Sequence, residues 1–220
     1  PYDGVCELLD DIARSCETRV IVATGREAQE IPFLLRTKQP LEVWGCHGLE
    51  RLHPNGTYWR ATLDDETERG LQSATNRLRA SGLTGLIETK PGCVAIHWRG
   101  LTPHYSEQVK SAAYNCFAPY VGVGGLQIQE FDHGVELRVR TCNKGKVVET
   151  ILQELGKDAA VAFLGDDTTD EEAFRALHGK GITILVRPAY RFTAAQFWLR
   201  PPDELTWFLR DWIEACKEAE

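Results

Sequence analysis

Methionine is absent from all 220 residues of the chain. No initiator residue is present, so Pro1 is not a raw translation start. A segment upstream is expected to have been cleaved or left out, and no signal peptide is visible to account for it. Also lacking is any run of about 18 apolar residues, so no membrane-spanning helix is indicated. Basic stripes are missing too. With a formal net charge of −7, neither nucleic acid nor an anionic membrane is expected as the main partner. An anionic substrate would have to rest on local cations or on a metal. The seven cysteines (Cys6, Cys16, Cys46, Cys93, Cys116, Cys142, Cys216) stand singly, with no C-x-x-C pair. That argues against a zinc site or a disulfide frame and points to reduced, mostly buried thiols in a cytoplasmic protein. Hydrophobic content of 43% and charged content of 26% are ordinary for a globular chain of one large or two small domains.

What is present is concentrated at Phe163–Glu172. An apolar run, Val161 to Leu164, stops at three carboxylates within five positions: Asp166, Asp167 and Asp170. Crowded carboxylates at a strand end repel one another unless a cation sits between them. Hard oxygen ligands on a short loop suit Mg²⁺, which takes one or two carboxylates and leaves its other positions to water and phosphate. A plainer reading is that Thr168, Thr169 and Asp170 cap a helix over Glu171–Leu177, with Glu171 or Glu172 closing a capping box.

Around this stretch, strand and helix patterns alternate. Val5, Leu8, Leu9 and Ile12 have helical spacing, and Val20–Ala23 reads as a fully buried strand, followed at its C-terminal end by Thr24-Gly25-Arg26. Leu41–Trp44 is a second strand. Later come a helix over Lys144–Leu155, a strand at Val161–Leu164, a helix at Glu171–Leu177, a strand at Ile182–Val186, and a final helix marked by Leu205, Phe208, Leu209, Trp212 and Ile213. This alternation predicts an α/β core, a parallel sheet with helices on both faces, from residues 1–50 and 142–220. Residues 51–141 differ. Pro54-Asn55-Gly56-Thr57 signals a hairpin, and Val94, Ile96, Trp98 and Val135, Leu137, Val139 alternate with polar residues. An inserted α+β domain with a half-exposed, one-sided polar sheet is expected there.

Other pieces carry possible chemistry. Thr24-Gly25-Arg26 offers a hydroxyl, an uncrowded N–H and a guanidinium to phosphate oxygens, or simply a strand-to-helix turn capped by Thr24. Lys144 opens a helix against its dipole, which suits a buried or bound anion, although solvated first-turn lysines are common. Gly45-Cys46-His47-Gly48-Leu49-Glu50 suggests either close backbone approach or a hinge. Glu88 with Lys90, His97 with Arg99, and Glu136 share strand faces. They read as a patch for a hydroxyl-rich ligand or as solvated sheet charges.

Taken in order, the strand before Thr24-Gly25-Arg26, Gly45-x-His47-Gly48-x-Glu50, Glu88-x-Lys90, His97-x-Arg99, Glu136-x-Arg138, Asn143-Lys144-Gly145 and Gly165-Asp166-Asp167-x-Thr169-Asp170-Glu171 resemble the trehalose-6-phosphate phosphatases of the haloacid-dehalogenase superfamily. The tail, Leu185-Val186-Arg187 and Trp198-Leu199-Arg200-Pro201-Pro202, fits the same pattern. The resemblance implies a Rossmannoid core with an inserted α+β cap. It also implies Mg²⁺-dependent hydrolysis of trehalose 6-phosphate, a small sugar phosphate, through an aspartyl-phosphate. Carried over, Asp166 is the direct metal ligand, supported by Asp167 and Asp170. Thr24, Gly25, Arg26 and Lys144 hold the phosphoryl group, and Lys144, Asp166 and Asp170 form the catalytic set. His47, Gly48, Glu88, Lys90, Arg99 and Glu136 fall to the sugar.

Two departures qualify this. The family's D-x-D-G-T signature, whose first Asp is the nucleophile and second the general acid, is absent. Tyr2-Asp3-Gly4 lacks a preceding apolar strand, so Asp3 is not assigned a catalytic role. The signature is expected upstream of Pro1, and the chain alone is not expected to turn over. Asp132 stands where the family often carries lysine, which loosens the identity of the sugar. A sugar-phosphate-binding regulatory domain of a longer polypeptide, and a phosphatase of another phosphorylated glycoside, are the alternatives.

Overall fold

Helix α1 (Val5–Ser15) forms where Val5 and Ile12 fall on one buried face, after Gly4 supplies the left-handed turn ahead of it. There follow β1 (Ile21–Ala23), the short α2 (Ile31–Leu35), β2 (Glu42–Gly45), β3 (Glu50–Leu52) and β4 (Tyr58–Arg60). The turn between β3 and β4 closes with His53 N donating to Thr57 O, as the Asn-Gly pair requires. Next are α3 (Asp65–Ala80), β5 (Ile87–Lys90), β6 (Cys93–His97), α4 (Pro103–Phe117), β7 (Leu126–Phe131) and β8 (Gly134–Val139). The last third holds α5 (Lys144–Leu155), β9 (Ala162–Gly165), α6 (Glu171–Leu177), β10 (Ile182–Val186), β11 (Phe197–Leu199) and α7 (Asp203–Ala219). The computed structural model describes residues 2–156 and 159–219. No helix among them is long and apolar enough to cross a membrane.

The chain divides into two units, Pro1–Arg60 with Asn143–Glu220, and Ala61–Cys142. The first division comes ten residues later than the patterning suggests, because β3 pairs with β2 and β4 with β3, extending the same sheet.

In the first unit β1 and β2 run parallel, Val22 opposite Val43, and the sheet continues antiparallel through β3 and β4. A second sheet, β11-β10-β9, is wholly parallel. Helix α5 reaches both sheets. Its Val147 and Ile151 pack on Ile21, Ala23 and Trp44, and Val148 packs with Ala173, Leu177, Val161 and Phe163. Helices α1 and α7 form a second cluster through Val5, Ile12, Leu205, Leu209 and Ile213, against which Val20, Leu164 and Val186 lie. Since Phe163 and Leu164 point to opposite faces of β9, helices cover that strand on both sides. The expectation of a fully buried first strand needs correction. Both β1 and β9 are half-buried throughout, whereas β2 is buried at every position. Among the described residues each of these two strands pairs on one side only.

The second unit is an antiparallel sheet of order β5-β6-β8-β7. Ala74, Leu78, Val109, Ala113 and Phe117 of α3 and α4 pack on Val94, Ile96, Leu126, Val135 and Leu137. The other face carries two polar rows fixed by register, Glu88–Ala95–Glu136–Gln129 and Lys90–Cys93–Arg138–Gln127. The expected half-exposed polar face is corrected at β8, which is buried from end to end; Glu136 is 3% exposed and Arg138 1%. As a central strand β8 has neighbours on both sides, and its charges answer one another, Arg138 Nε lying 3.4 Å from Glu136 Oε1.

Candidate active site

At the C-terminal end of β9 the chain turns sharply and folds the Asp170 carboxylate under its own loop. Oδ2 accepts the backbone N–H groups of Asp166 and Asp167, both at 2.9 Å, and Oδ1 accepts Lys144 Nζ at 2.6 Å. Gly165 makes this possible, because a Cβ there would lie 2.5 Å from Asp170 Cγ. Lys144 is buried at the first turn of α5, so its charge is met by the Asp170 anion and not by water. Asn143 caps the same turn by accepting Lys146 N at 2.9 Å.

The capping box expected at Glu171 or Glu172 forms one step earlier. Asp167 caps the turn Thr168–Asp170, with Asp170 as its partner. Glu171 is drawn elsewhere, accepting Arg191, Thr193 Oγ1 (2.8 Å) and Ala194 N (2.7 Å). Two guanidiniums then grip the carboxylate loop from behind. Arg187 donates to Asp166 O at 3.0 Å and Arg191 to Asp167 O at 2.7 Å. Glu171 is expected only as a helix cap, and nothing in the sequence marks Arg191, which lies 20 residues from Glu171 and 24 from Asp167.

The Asp166 carboxyl is pushed above the usual range by burial first and then by the Asp170 charge, with Asp167 adding to it; Lys144 and Arg187 pull the other way. Among the described residues, no group of three or more His, Cys, Asp or Glu side chains is gathered as a metal cage. Asp170 is committed to Lys144 and two amides, and Asp167 Oδ1 accepts Thr168 N at 2.6 Å. What remains is the Asp166 carboxylate, open to solvent at the loop and under electrostatic pressure from Asp170. That fits a Mg²⁺ ion, which needs one or two carboxylates and fills its octahedron with water and phosphate.

After β1, Thr24 Oγ1 accepts the N–H of Arg26 at 3.1 Å, the local turn bond anticipated for it. The loop is held on its other side by the next strand: Thr24 N donates to Trp44 O, His47 N to Thr24 O, and Cys46 N to Arg26 O. The Arg26 side chain is exposed and pairs with Glu30 at 3.7 Å. His47 is buried with positive φ, and its imidazole occupies the space beside Gly25, 2.7 Å from where a Cβ would be. Gly48 has a φ of 105° and lies against Val147.

On the sheet of the second unit, Glu88 Oε2 meets Lys90 Nζ at 2.8 Å and His97 Nε2 at 2.7 Å. Burial raises the Glu88 carboxyl, but the hydrogen bonds from Lys90 and His97 outweigh it and hold the group below its ordinary value. Cys93 Sγ lies 3.3 Å from Glu136 Oε2 in the neighbouring row. Glu88, Lys90 and Glu136 are therefore assembled on one face. Arg99 is not among them; it lies beyond β6, largely exposed, 3.5 Å from Asp132.

The fold is that of the haloacid-dehalogenase superfamily. A haloacid dehalogenase-like hydrolase from Bacteroides thetaiotaomicron superposes with a TM-score of 0.67 at 13% identity, covering 94% of this chain and 90% of the other. The C-terminal domain of Candida albicans trehalose-6-phosphate phosphatase gives a TM-score of 0.77 at 17% identity, covering 97% and 84%. The chain belongs to the trehalose-phosphatase family, whose model matches residues 1–197. A trehalose-phosphate phosphatase of Mycolicibacterium paratuberculosis is 31% identical over 97% of this chain and 57% of its own length. The chain thus spans little more than half of such relatives, and 16% of a longer Mycobacterium tuberculosis protein described as an uncharacterized glycosyl hydrolase.

Proposed function

We propose that this chain supplies most of the active site of a Mg²⁺-dependent phosphatase that converts trehalose 6-phosphate to trehalose and phosphate. The observation that carries the reading is the constellation at the end of β9, where buried Lys144 and Asp170 and the Asp166–Asp167 turn hold one another and leave the exposed Asp166 as the carboxylate a cation would relieve. Asp166 would hold the metal, and bound there it neutralises charge on the phosphoryl oxygens. Lys144 stabilises the transferring group, Thr24 and Gly25 cradle it, and Asp170 keeps Lys144 and the loop in place. Glu88, Lys90 and Glu136 take the sugar hydroxyls.

In the reaction a carboxylate oxygen attacks phosphorus, the bond from phosphorus to the sugar oxygen breaks, and that oxygen leaves with a proton from a general acid. Water then cleaves the acyl phosphate and releases phosphate. The nucleophilic aspartate is assigned to a further strand, ahead of Pro1, seated between β1 and β9. In support, both strands keep one edge without a strand partner among the described residues. Their apolar side chains are only half-buried, and helices span the two sheets.

The test is phosphate release from trehalose 6-phosphate by a protein that carries this chain together with that strand. Asp166→Asn should cut the Mg²⁺-dependent rate about a hundredfold, and calorimetry should register weakened Mg²⁺ binding with an unchanged fold. A near-parental rate would remove Asp166 as ligand. A second reading has one observation behind it. Asp132 pairs with Arg99 and so withdraws a cation from the sugar face, which favours another phosphorylated glycoside, to be decided by comparing kcat/KM across such substrates.

A further inference from the structure

The Thr24–Ala28 segment, which under the preceding reading is the phosphate loop, ends in a short helical turn, Ala28–Glu30. Its own N-cap residue, Glu27, makes no side-chain capping bond. The missing acceptor comes instead from β3. Glu50 Oε2 accepts Ala28 N at 2.8 Å, and Glu50 Oε1 accepts the Tyr58 hydroxyl of β4 at 2.7 Å. Glu50 is 2% exposed and Ala28 0%. Burial, and then the bond to Glu50, push the Tyr58 hydroxyl up to about 12, so it remains a donor across the working pH range. Gly45, paired with Glu50 across the ladder, is the third part. A Cβ there would lie 2.4 Å from Ala28 N and 2.8 Å from Glu50 Oε2, so any side chain would break the contact.

We propose that Glu50, steadied by Tyr58 and admitted by Gly45, is a positioning residue that sets the geometry of the phosphate-binding loop through the Ala28 amide. The inference rests on Thr24 and Gly25 holding phosphate. It gives one physical role to the whole Gly45-x-His47-x-x-Glu50 run. The backbone N–H groups of Cys46 and His47 fix Arg26 O and Thr24 O, and Glu50 fixes Ala28 N. The loop is clamped at these three points by the turn that follows β2 and by the first residue of β3. A buried carboxylate is expensive to keep, yet glutamine, with an amide oxygen for Ala28 N and an N–H for the Tyr58 oxygen, would satisfy the same geometry. That isostere separates geometry from charge.

The experiment uses inorganic phosphate as the probe, titrated by NMR into the protein that carries this chain together with that further strand and into its variants Glu50→Ala, Glu50→Gln, Glu50→Asp and Thr24→Ala, with hydrogen exchange at the Ala28 amide read in parallel. An N-cap acceptor is worth about 1 kcal/mol, so Glu50→Ala should weaken phosphate binding roughly fivefold and speed Ala28 exchange by a similar factor. Glu50→Gln should stay within about twofold of the parent. Glu50→Asp, which keeps the charge but lacks the reach, should behave like alanine and stands in for it if the alanine variant fails to fold. Faster Ala28 exchange with unchanged phosphate affinity would overturn the proposal and leave Glu50 structural, as would unchanged exchange. If Thr24→Ala weakens binding and neither Glu50→Ala nor Glu50→Asp does, only the Glu50 inference fails. If Thr24→Ala also leaves binding unchanged, the phosphate reading of the loop fails with it.

Discussion

Lys144 sits where helix electrostatics disfavour it, and a buried anion explains why it is tolerated. Its ammonium lies 2.6 Å from Asp170 Oδ1, and both side chains are almost out of water. Removing one partner of such a pair leaves the other uncompensated. Lys144→Met, which keeps the length and drops the charge, should therefore cost about 3 kcal/mol, measurable as a lower urea midpoint with an unchanged slope. If the midpoint stays within error, the pair is not a source of stability and Asp170 is satisfied by the two amides alone.

The sheet β1-β2-β3-β4 is fastened to α5 by charge as well as by packing. Glu154 of α5 takes both terminal nitrogens of Arg51 at 2.7 and 2.9 Å and Arg19 Nη2 at 2.7 Å. Buried Glu42 of β2 receives the same two arginines and Trp44 Nε1. The Arg51 hydrogen bonds, with Arg19 assisting against burial, depress the Glu154 carboxyl from 4.5 to about 2. A depressed folded-state value means stability that is fully present above pH 4.5 and lost as the pH falls towards about 2. Glu154→Gln should thus melt below the parent at neutral pH, the gap closing through that window. A gap that does not narrow on acidification would place the effect elsewhere.

Elements of this kind were legible to different degrees. α5, α6 and β10 begin and end where their sequence periodicity does, because apolar spacing and an Asn143 cap define them locally. The split of the sheet was not legible, since an apolar run such as Ile21–Ala23 looks the same whether it has one strand neighbour or two. Nor was the burial of Glu136 and Arg138, whose alternation fits a wet face equally well. At the site, Lys144 meets Asp170 across 26 residues, a pairing the family resemblance implied and no spacing marked. Glu50, Tyr58, Arg191 and Glu171 act through partners 8 to 24 residues away, at separations no helical or strand period marks.

The two units differ in how they could stand alone. Every residue of the cluster under the sheet of the second unit, from Leu63 to Cys142, belongs to that unit. The excised segment Ala61–Cys142 should fold by itself and melt cooperatively by circular dichroism, its ordered sheet and helices being self-sufficient. A non-cooperative melt would mean that the cluster needs the rest of the chain.

The first unit has no such autonomy, and this has a consequence for synthesis on the ribosome. Helix α1 finds its partner in α7, nearly two hundred residues downstream. Until Asp203–Ala219 has emerged, the apolar stripe of Val5 and Ile12 stays open, while the inserted unit is already complete. The nascent chain therefore carries a finished domain in its middle and a sticky helix ahead of it. That is the interval in which a chaperone would most usefully bind.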